Sequence, residues 1–222
     1  MRLRKIKGAK EEIKAHQDYI QDIKDVRRES DATHVVLPKR FDSKKPLHIE
    51  IGMGKGQFIH TLAKKHPEIN YIGIERFDSV IYRALEKMIA EPLENLFLLR
   101  MDATYINAIF DDIKVDRIYL NFSDPWPKVR HEKRRLTHPN FLVQYEALLQ
   151  KGGTLELKTD NELLFSYSKE QIENYPMNVI FESKDLHQEE MENVMTEFEE
   201  KFAKEGKHIY KITAKFKEDN HG

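Results

Sequence analysis

The chain has 222 residues, of which 40% are hydrophobic and 34% charged, and its formal net charge is −1. This composition excludes a largely disordered chain, and the absence of cysteine excludes disulfides, thiolate metal sites and a thiolate nucleophile. No apolar run is long enough to span a bilayer, and the basic start lacks the apolar segment of a signal peptide. We therefore expect a cytoplasmic protein that has no membrane partner.

The first 45 residues are polar and begin with a basic arm, MRLRKIKGAK. A helix is predicted from Ala9 to Asp25, although its apolar face is thin. The sequence pattern changes at His48, from which apolar segments recur at regular intervals. We interpret residues 1–45 as a polar basic arm and residues 46–222 as the folded domain.

From His48 onwards, short apolar strands alternate with helical patterns. Strands are predicted at His48–Met53, Tyr71–Glu75, Leu96–Met101, Arg117–Asn121, Thr154–Thr159, Asn178–Ser183 and His208–Phe216. Helices are predicted at Gln57–Lys65, Ser79–Ala90, Thr104–Phe110, Pro139–Leu149 and Asn161–Asn174, and the acidic stretch Gln188–Gly206 is also predicted to be helical. This alternation indicates an α/β fold in which helices cover both faces of a parallel sheet.

Three glycines, Gly52, Gly54 and Gly56, follow the first of these strands and precede a helix. Glycine suits this place because the turn is tight and a ligand must approach the backbone closely. The dinucleotide fingerprint needs a third glycine where Gln57 stands, and a phosphate-binding loop needs serine or threonine after Lys55. The G-x-G-x-G spacing favours S-adenosylmethionine, and NAD stays open as the weaker alternative.

Acidic residues occur in or just after the first three strands of the domain. Glu50 lies inside the first strand, Glu75 ends the second in YIGIE, and Asp102 follows the third in LLRMDA. A carboxylate in the place of Glu75 can accept both ribose hydroxyls of a nucleotide, and Asp102 can accept from an adenine amine. A buried Glu50 needs a partner, for which a ligand or a loop amide is expected.

The segment NFSDPWP follows the fourth strand and holds the only tryptophan, Trp126, between two prolines. Pro125 and Pro127 restrict the backbone, so the loop is predicted to be extended and rigid. Asp124 is the acid best placed to meet a ligand at this end of the sheet. Trp126 can either stack on a base or wedge the loop, and the sequence leaves both roles open.

A basic run follows this loop, and its cations are Lys128, Arg130, Lys133, Arg134 and Arg135. Such a run can bind nucleic-acid phosphates, although charged runs are more often merely solvated. We favour phosphate binding because the cations directly follow the NFSDPWP loop. His131 and Glu132 begin like a zinc-protease motif, but Arg135 stands where the second histidine belongs, so no metal is expected.

Five segments in this order, HIEIGMGKG, YIGIE, NFSDPWPKVRHEKRRL, LKTDN and MTEFEEKF, resemble the bacterial tRNA (guanine-N7)-methyltransferases over residues 47–216. The resemblance implies a class I methyltransferase (Rossmann-like) fold with a mostly parallel seven-stranded sheet and helices on both faces. It implies methyl transfer from S-adenosylmethionine to N7 of a guanine in the variable loop of tRNA. The sequence leaves the oligomeric state open between monomer and homodimer.

The resemblance also implies roles for residues at matching positions, and it makes Asp124 the catalytic residue. The implied cofactor contacts are Glu50, Gly52, Gly54, Gly56, Glu75, Asp102 and Asp124. The implied substrate contacts are Lys128, Asp160, Thr196, Glu197, Phe198 and Glu199. The implied RNA-contacting stretch is Arg130, His131, Glu132, Lys133, Arg134 and Arg135.

The chemistry gives these residue types a reason. N7 of guanine carries a lone pair and no proton, so catalysis needs alignment and exclusion of water more than a base. The Watson–Crick edge of guanine offers two adjacent donors, which Asp160, Glu197 or Glu199 can accept. Two other classes stay open: an NAD-linked oxidoreductase, and an RNA-binding module that keeps the pocket without catalysis.

Overall fold

The computed structural model describes residues 6–23 and 32–217. The chain divides into two compact units, of which the first ends at Ile113 and the second begins at Lys114. Residues 1–5 of the predicted basic arm and the end of the predicted helix at residues 24–25 lie outside the described residues. The division into residues 1–45 and 46–222 stays a prediction.

The first unit contains four parallel strands in the order β1-β4-β3-β2. They are β1 (Ile20–Asp22), β2 (Leu47–Ile51), β3 (Asn70–Glu75) and β4 (Leu96–Arg100). Its helices are α1 (Ala9–Ala15), α2 (Gln57–Lys65), α3 (Asp78–Ala90) and α4 (Ile106–Phe110), with a 3-10 turn at Ala103–Tyr105. Every residue of β2 and β3 is buried, as is typical of parallel strands covered on both faces.

The prediction of a helix from Ala9 to Asp25 is confirmed for residues 9–15 and wrong for residues 16–23. The chain leaves the helix at His16 and then forms β1, in which Ile20 pairs in register with Leu98 of β4. Ile20 is fully buried. A helix with a thin apolar face would bury little hydrophobic surface. As a strand, the segment buries Ile20 in the core, and its backbone N–H and carbonyl groups form hydrogen bonds with β4. With this strand, the described residues form eight strands, one more than predicted.

The second unit contains four strands in the order β5-β6-β8-β7. They are β5 (Val115–Asn121), β6 (Leu149–Thr159), β7 (Met177–Ser183) and β8 (Tyr210–Phe216). β5 and β6 are parallel, whereas β8 runs antiparallel to both of its neighbours. The helices are α5 (Pro139–Leu148), α6 (Glu162–Asn174) and α7 (Glu197–Lys204), with 3-10 turns at Val129–Arg134 and Leu186–Gln188. All seven strands that the sequence predicts are present.

The prediction that Gln188–Gly206 is helical is wrong for its first half. Residues 189–195 have no regular structure, and α7 starts only after Thr196, whose Oγ1 accepts from the backbone N–H of Glu199 at 3.0 Å. A threonine in this place caps a helix start. No helix in the part of the chain that the structure describes is long and apolar enough to cross a membrane.

Arg40 ties the N-terminal segment to β4. Its guanidinium nitrogens donate to three backbone carbonyls, those of Asp18 at 2.5 Å, Glu94 at 3.2 Å and Leu96 at 2.8 Å. Its guanidinium carbon lies 5.8–5.9 Å from three aromatic ring centres, those of Tyr19, Phe41 and Phe97. Burial lowers the pKa of Arg40, but an arginine keeps its charge under ordinary conditions. The guanidinium of Arg40 therefore joins the segment before β1 to the start of β4.

Replacing Arg40 by lysine should test this tie. Arg40→Lys keeps the charge but has one nitrogen for three carbonyls, so we expect a loss of about 2 kcal/mol in the free energy of unfolding. Urea denaturation measures it. Arg83→Lys is the control, because Arg83 only pairs with Glu86 on an exposed helix face. Equal unfolding midpoints for the two variants would contradict the role of Arg40.

Candidate functional site

The glycine loop between β2 and α2 has a backbone that only glycine adopts readily. Gly52, Gly54 and Gly56 have φ angles of 76°, 61° and 74°. A Cβ on Gly56 would lie 2.9 Å from Cβ of Ala84, so packing as well as conformation requires glycine there. The backbone N–H of Gly52 donates to the carbonyl of Ile74 at 2.9 Å. The loop is therefore fastened to β3.

Glu75, the last residue of β3, holds the glycine loop from the other side. It is only 8% exposed. Its Oε1 accepts from the backbone N–H groups of Arg76 and Phe77 at 2.8 and 2.9 Å, and its Oε2 accepts from the N–H of Gly54 at 3.2 Å. Since these bonds fix the carboxylate, Glu75 and the glycine loop set each other's position.

Asp102 follows β4 and is linked through Arg76 to the end of β3. Its Oδ1 accepts from the backbone N–H of Thr104 at 2.9 Å, and its Oδ2 pairs with Nη1 of Arg76 at 2.9 Å. Glu50 is 2% exposed and lies in β2 opposite Gly73 of β3. The first unit thus gathers the glycines and these acids along the carboxyl-end region of β2, β3 and β4, where α/β sheets bind ligands.

The loop after β5 is held in an unfavourable backbone conformation. Phe122 and Trp126 have positive φ angles, 50° and 41°, which cost on the order of 1–3 kcal/mol each for residues that are not glycine. The N–H of Phe122 still donates to the carbonyl of Lys158 in β6 at 2.8 Å. Asp124 lies between the two strained residues and is exposed. Its carboxylate has no hydrogen bond or ion pair within residues 6–23 and 32–217.

Three residues of the basic run pack against this loop. Arg135 donates from Nε to the carbonyl of Pro125 at 3.2 Å and from Nη2 to the carbonyl of Trp126 at 3.1 Å. The guanidinium carbon of Arg134 lies 4.8 Å from the Trp126 ring centre, and His131 meets the same ring edge-on at 5.6 Å. These contacts support a wedge role for Trp126, whereas stacking on a base stays a prediction.

The basic run is not uniform. A 3-10 turn over Val129–Arg134 leaves four cations exposed, those of Lys128, Arg130, Lys133 and Arg134. His131, Glu132 and Arg135 are half-buried. The structure therefore separates Arg135, which faces the loop, from cations that can meet a polyanion. The family resemblance implies one RNA-contacting stretch from Arg130 to Arg135 and places Lys128 among the substrate contacts.

Glu199 is fully buried, and its carboxylate is bound on both oxygens. Oε2 pairs with Nζ of Lys158 at 2.7 Å, while Oε1 accepts from Asn193 and contacts Nε2 of His187 at 3.1 Å. Lys158 is 3% exposed and also donates to the carbonyl of Val194 at 2.9 Å. Burial alone raises the pKa of Glu199, but the Lys158 ammonium and the hydrogen bonds outweigh it and lower the pKa below its ordinary value.

Lys158, His187 and Asn193 are therefore partners of Glu199 that the sequence does not indicate. The T-x-x-E spacing of Thr196 and Glu199 signals a capping box, in which the glutamate would return to the helix start. In the structure its carboxylate instead meets Lys158 of β6. Nothing in the local sequence names a partner 41 residues away.

The remaining predicted substrate residues lie around the start of α7 and the end of β6. Asp160 pairs with Nζ of Lys207 at 3.0 Å, and this ammonium lies 4.0 Å from the ring centre of Phe202. Phe198 is 55% exposed and stacks on Phe202 with ring centres 6.1 Å apart. Glu197 lies in the first turn of α7 and is half-buried. This unit thus presents acids beside an exposed aromatic ring.

The described part of the chain contains no group of three or more histidines or acids arranged to hold a metal ion. Two solved structures of methyltransferases are similar to this chain in fold. A 16S rRNA methyltransferase, KamB, matches with a TM-score of 0.59 and 12% identity over 78% of this chain and 89% of its own. An antibiotic-related methyltransferase matches with a TM-score of 0.57 and 19% identity over 76% and 86%. The predicted class I methyltransferase fold is confirmed, with eight strands instead of seven.

Sequence comparison identifies the family. Residues 44–212 match the sequence model of a family described as "Putative methyltransferase". A tRNA (guanine-N(7)-)-methyltransferase from Enterococcus faecalis is 51% identical over 80% of this chain and 84% of its own. One from Macrococcus caseolyticus is 46% identical over 97% of this chain and 100% of its own. The chain belongs to the tRNA (guanine-N7-)-methyltransferase family.

Proposed function

We propose that this protein transfers the methyl group of S-adenosylmethionine to N7 of a guanine in tRNA. The observation that carries the proposal is the 46% identity to a tRNA (guanine-N(7)-)-methyltransferase across 97% of the chain and the whole of that relative. The two units add the chemistry that this reaction needs: a nucleotide-type loop with acids in the first, and an exposed acid beside cations in the second.

The residues of the first unit fit the cofactor by the chemistry of their donors and acceptors. Glu75 offers a fixed carboxylate at the place that accepts ribose hydroxyls in related folds, and we assign it that role. We assign the adenine amine to Asp102 and close backbone approach to Gly52 and Gly54, where an added Cβ would meet open space. When bound, S-adenosylmethionine supplies a methyl group activated by its positive sulfur. Contacts of the cofactor with Glu50 and Gly56 stay predictions.

The second unit has to hold the base and bear the charge that appears on it. N7 would attack the methyl group through its lone pair, so no proton has to be removed. As the new N–C bond forms, the bond between the methyl group and sulfur would break, and the positive charge would pass from sulfur to guanine. An exposed, unpaired carboxylate at Asp124 stabilises that charge without giving up another partner among the described residues. We assign Asp124 this role together with orientation of the base; its contact with the cofactor stays a prediction.

We assign recognition of the guanine edge to Asp160 and Glu197. Two adjacent N–H donors suit a carboxylate. Glu197 lies in the first turn of α7 next to Phe198, whose ring is exposed, and Asp160, which follows β6, pairs with Lys207. Glu199 does not suit this role, because Lys158, Asn193 and His187 already occupy its carboxylate. Its role in our account is to hold the start of α7, with Thr196 as the cap.

A labelled methyl group tests the proposal. The protein is incubated with unmodified tRNA and S-adenosylmethionine labelled in its methyl group, and the RNA is digested to nucleosides. We expect the label in 7-methylguanosine. Label in another nucleoside would overturn the assignment of N7. Failure to label tRNA while the cofactor still binds would favour a non-catalytic RNA-binding module.

The cofactor assignments predict weaker binding in two conservative variants. Glu75→Gln and Asp102→Asn keep side-chain shape but remove the charge that accepts cofactor hydrogen bonds. We expect the affinity for S-adenosylmethionine to fall about tenfold in each, since a bond to a charged group contributes about 1.5–3 kcal/mol. Calorimetry measures it, with Asp112→Asn, an exposed residue of the same unit, as control. Wild-type affinity in both variants would remove the assignments.

The exposed cations of the basic run should contribute affinity for tRNA. Replacing Arg130, Lys133 and Arg134 by glutamine should weaken binding and flatten its salt dependence, by about 0.7–0.9 in logarithmic slope for each phosphate that is no longer neutralised. The control replaces Lys151, Lys184 and Lys217, exposed lysines outside the run in the same unit. Identical salt slopes for both triple variants would show that the run is only solvated.

The lowered pKa of Glu199 predicts a dependence of stability on pH. A carboxylate whose pKa is lower in the folded state contributes stability above its unfolded pKa of about 4.3, and this contribution is lost as the pH falls through the folded pKa. Glu199→Gln removes the carboxylate that neutralises the buried Lys158 ammonium, which costs about 3–5 kcal/mol near pH 7. Denaturation at several pH values should show the variant weakened at neutral pH, with a shallower acid limb. Parallel curves would refute the ion-pair account.

Asp124 should affect the chemical step and little else. Because its carboxylate has no partner among the described residues, Asp124→Asn and Asp124→Ala should leave folding unchanged. We expect the single-turnover rate to fall about a hundredfold, on the scale found when one charge-stabilising group is removed from an active site. Binding of tRNA, measured in parallel, should stay near wild type. A rate for Asp124→Ala close to wild type would leave Asp124 as a loop-shaping residue only.

A further inference from the structure

We propose that Arg135 is a positioning residue, which fixes the loop that carries Asp124, and that it does not bind RNA phosphate. The inference rests on the proposed function and changes the role that the basic run suggests for this arginine. It acts on Asp124 through the backbone: its guanidinium holds the carbonyls of Pro125 and Trp126, the two residues that directly follow Asp124.

The loop needs such a support. Asp124 stands between Phe122 and Trp126, both with positive φ angles, and residues 123–127 form no regular secondary structure. Since the Asp124 side chain itself has no partner within the described residues, only the backbone restricts where its carboxylate can lie. A strained backbone persists only where surrounding contacts hold it. The two bonds from Arg135 are such contacts.

Arginine is suited to this support in a way that lysine is not. Its planar fork presents two N–H donors at once, here to two successive carbonyls, while its face lies on the ring of Tyr167 with a distance of 4.2 Å to the ring centre. Its own backbone is fixed as well, because its N–H donates to the carbonyl of Glu132 at 2.9 Å and its carbonyl accepts from His138 at 3.0 Å. The 3-10 turn brings the chain back so that Arg135 reaches the loop.

Tyr167 of α6 completes the support. Burial raises the pKa of its hydroxyl to about 12, so the ring stays a neutral phenol under ordinary conditions and offers an uncharged face to the cation. Arg135 is therefore held by an aromatic face and two carbonyls, whereas Arg130 and Lys133 of the same run are exposed. The difference in surroundings separates a positioning arginine from phosphate-binding ones.

The variant Arg135→Lys separates the two roles because it keeps the charge and loses the fork. If Arg135 positions the loop, kcat for tRNA methylation should fall at least tenfold, while the Kd for tRNA and its salt slope stay within about twofold of wild type. Arg117→Lys is the matched control. Like Arg135, Arg117 lies over a tyrosine ring, that of Tyr119, in the same unit, and it pairs with Glu156. We expect that variant to keep kcat.

Two variants of Tyr167 keep the proposal testable if Arg135→Lys folds poorly. Tyr167→Leu removes the aromatic face and should lower kcat without weakening tRNA binding, whereas Tyr167→Phe keeps the face and should behave like wild type. Unchanged kcat in Arg135→Lys, or a weakened and salt-flattened tRNA binding with kcat retained, would overturn the proposal. The wild-type product is measured alongside: absence of 7-methylguanosine there would overturn the proposed function, a distinct result.

Discussion

The loop from Phe122 to Pro127 has a backbone conformation that is unfavourable for Phe122 and Trp126. The position of Asp124 in this loop depends on the contacts that hold the backbone. Phe122 is held at one end by the carbonyl of Lys158, and Trp126 at the other by Arg135. Lys158 takes part twice, because its ammonium also anchors Glu199 below the start of α7. Lys158 of β6 thereby links the loop from Phe122 to Pro127 to α7, the helix that carries Glu197.

Both units use buried or half-buried charges to fix flexible backbone. In the first, the Glu75 carboxylate collects N–H groups from the glycine loop and from the start of α3. In the second, Lys158 and Arg135 donate hydrogen bonds to backbone carbonyls of segments without regular structure. A charged group makes stronger hydrogen bonds than a neutral one, so a single side chain can hold a loop that would otherwise sample many conformations. Alignment of reactants requires such rigidity, because a displacement of about 1 Å can cost a hundredfold in rate.

Much of the fold could be predicted because its strands are continuous apolar runs, and the glycine loop because its residues are local in sequence. β1 could not, because its three residues become a strand only by pairing with Leu98 and its neighbours in β4. The strand ends indicate Glu75 and Asp102 as candidate cofactor contacts, and these contacts stay predictions. The roles of Glu199 and Arg135 were not, since a charge pattern does not reveal whether a side chain faces water or a partner far along the chain. Whether such a side chain faces water depends on its burial, which is set by tertiary packing and not by the local sequence.

We propose that the lone pair of guanine N7 receives the methyl group and that the protein aligns the base and stabilises its charge. A tRNA transcript made with 7-deazaguanosine tests this directly, because a C–H group replaces N7 while the Watson–Crick edge and the phosphates stay. The account predicts that this tRNA takes up no labelled methyl group yet competes with ordinary tRNA for binding at similar concentrations. Transfer of label to the 7-deazaguanosine tRNA would contradict the account.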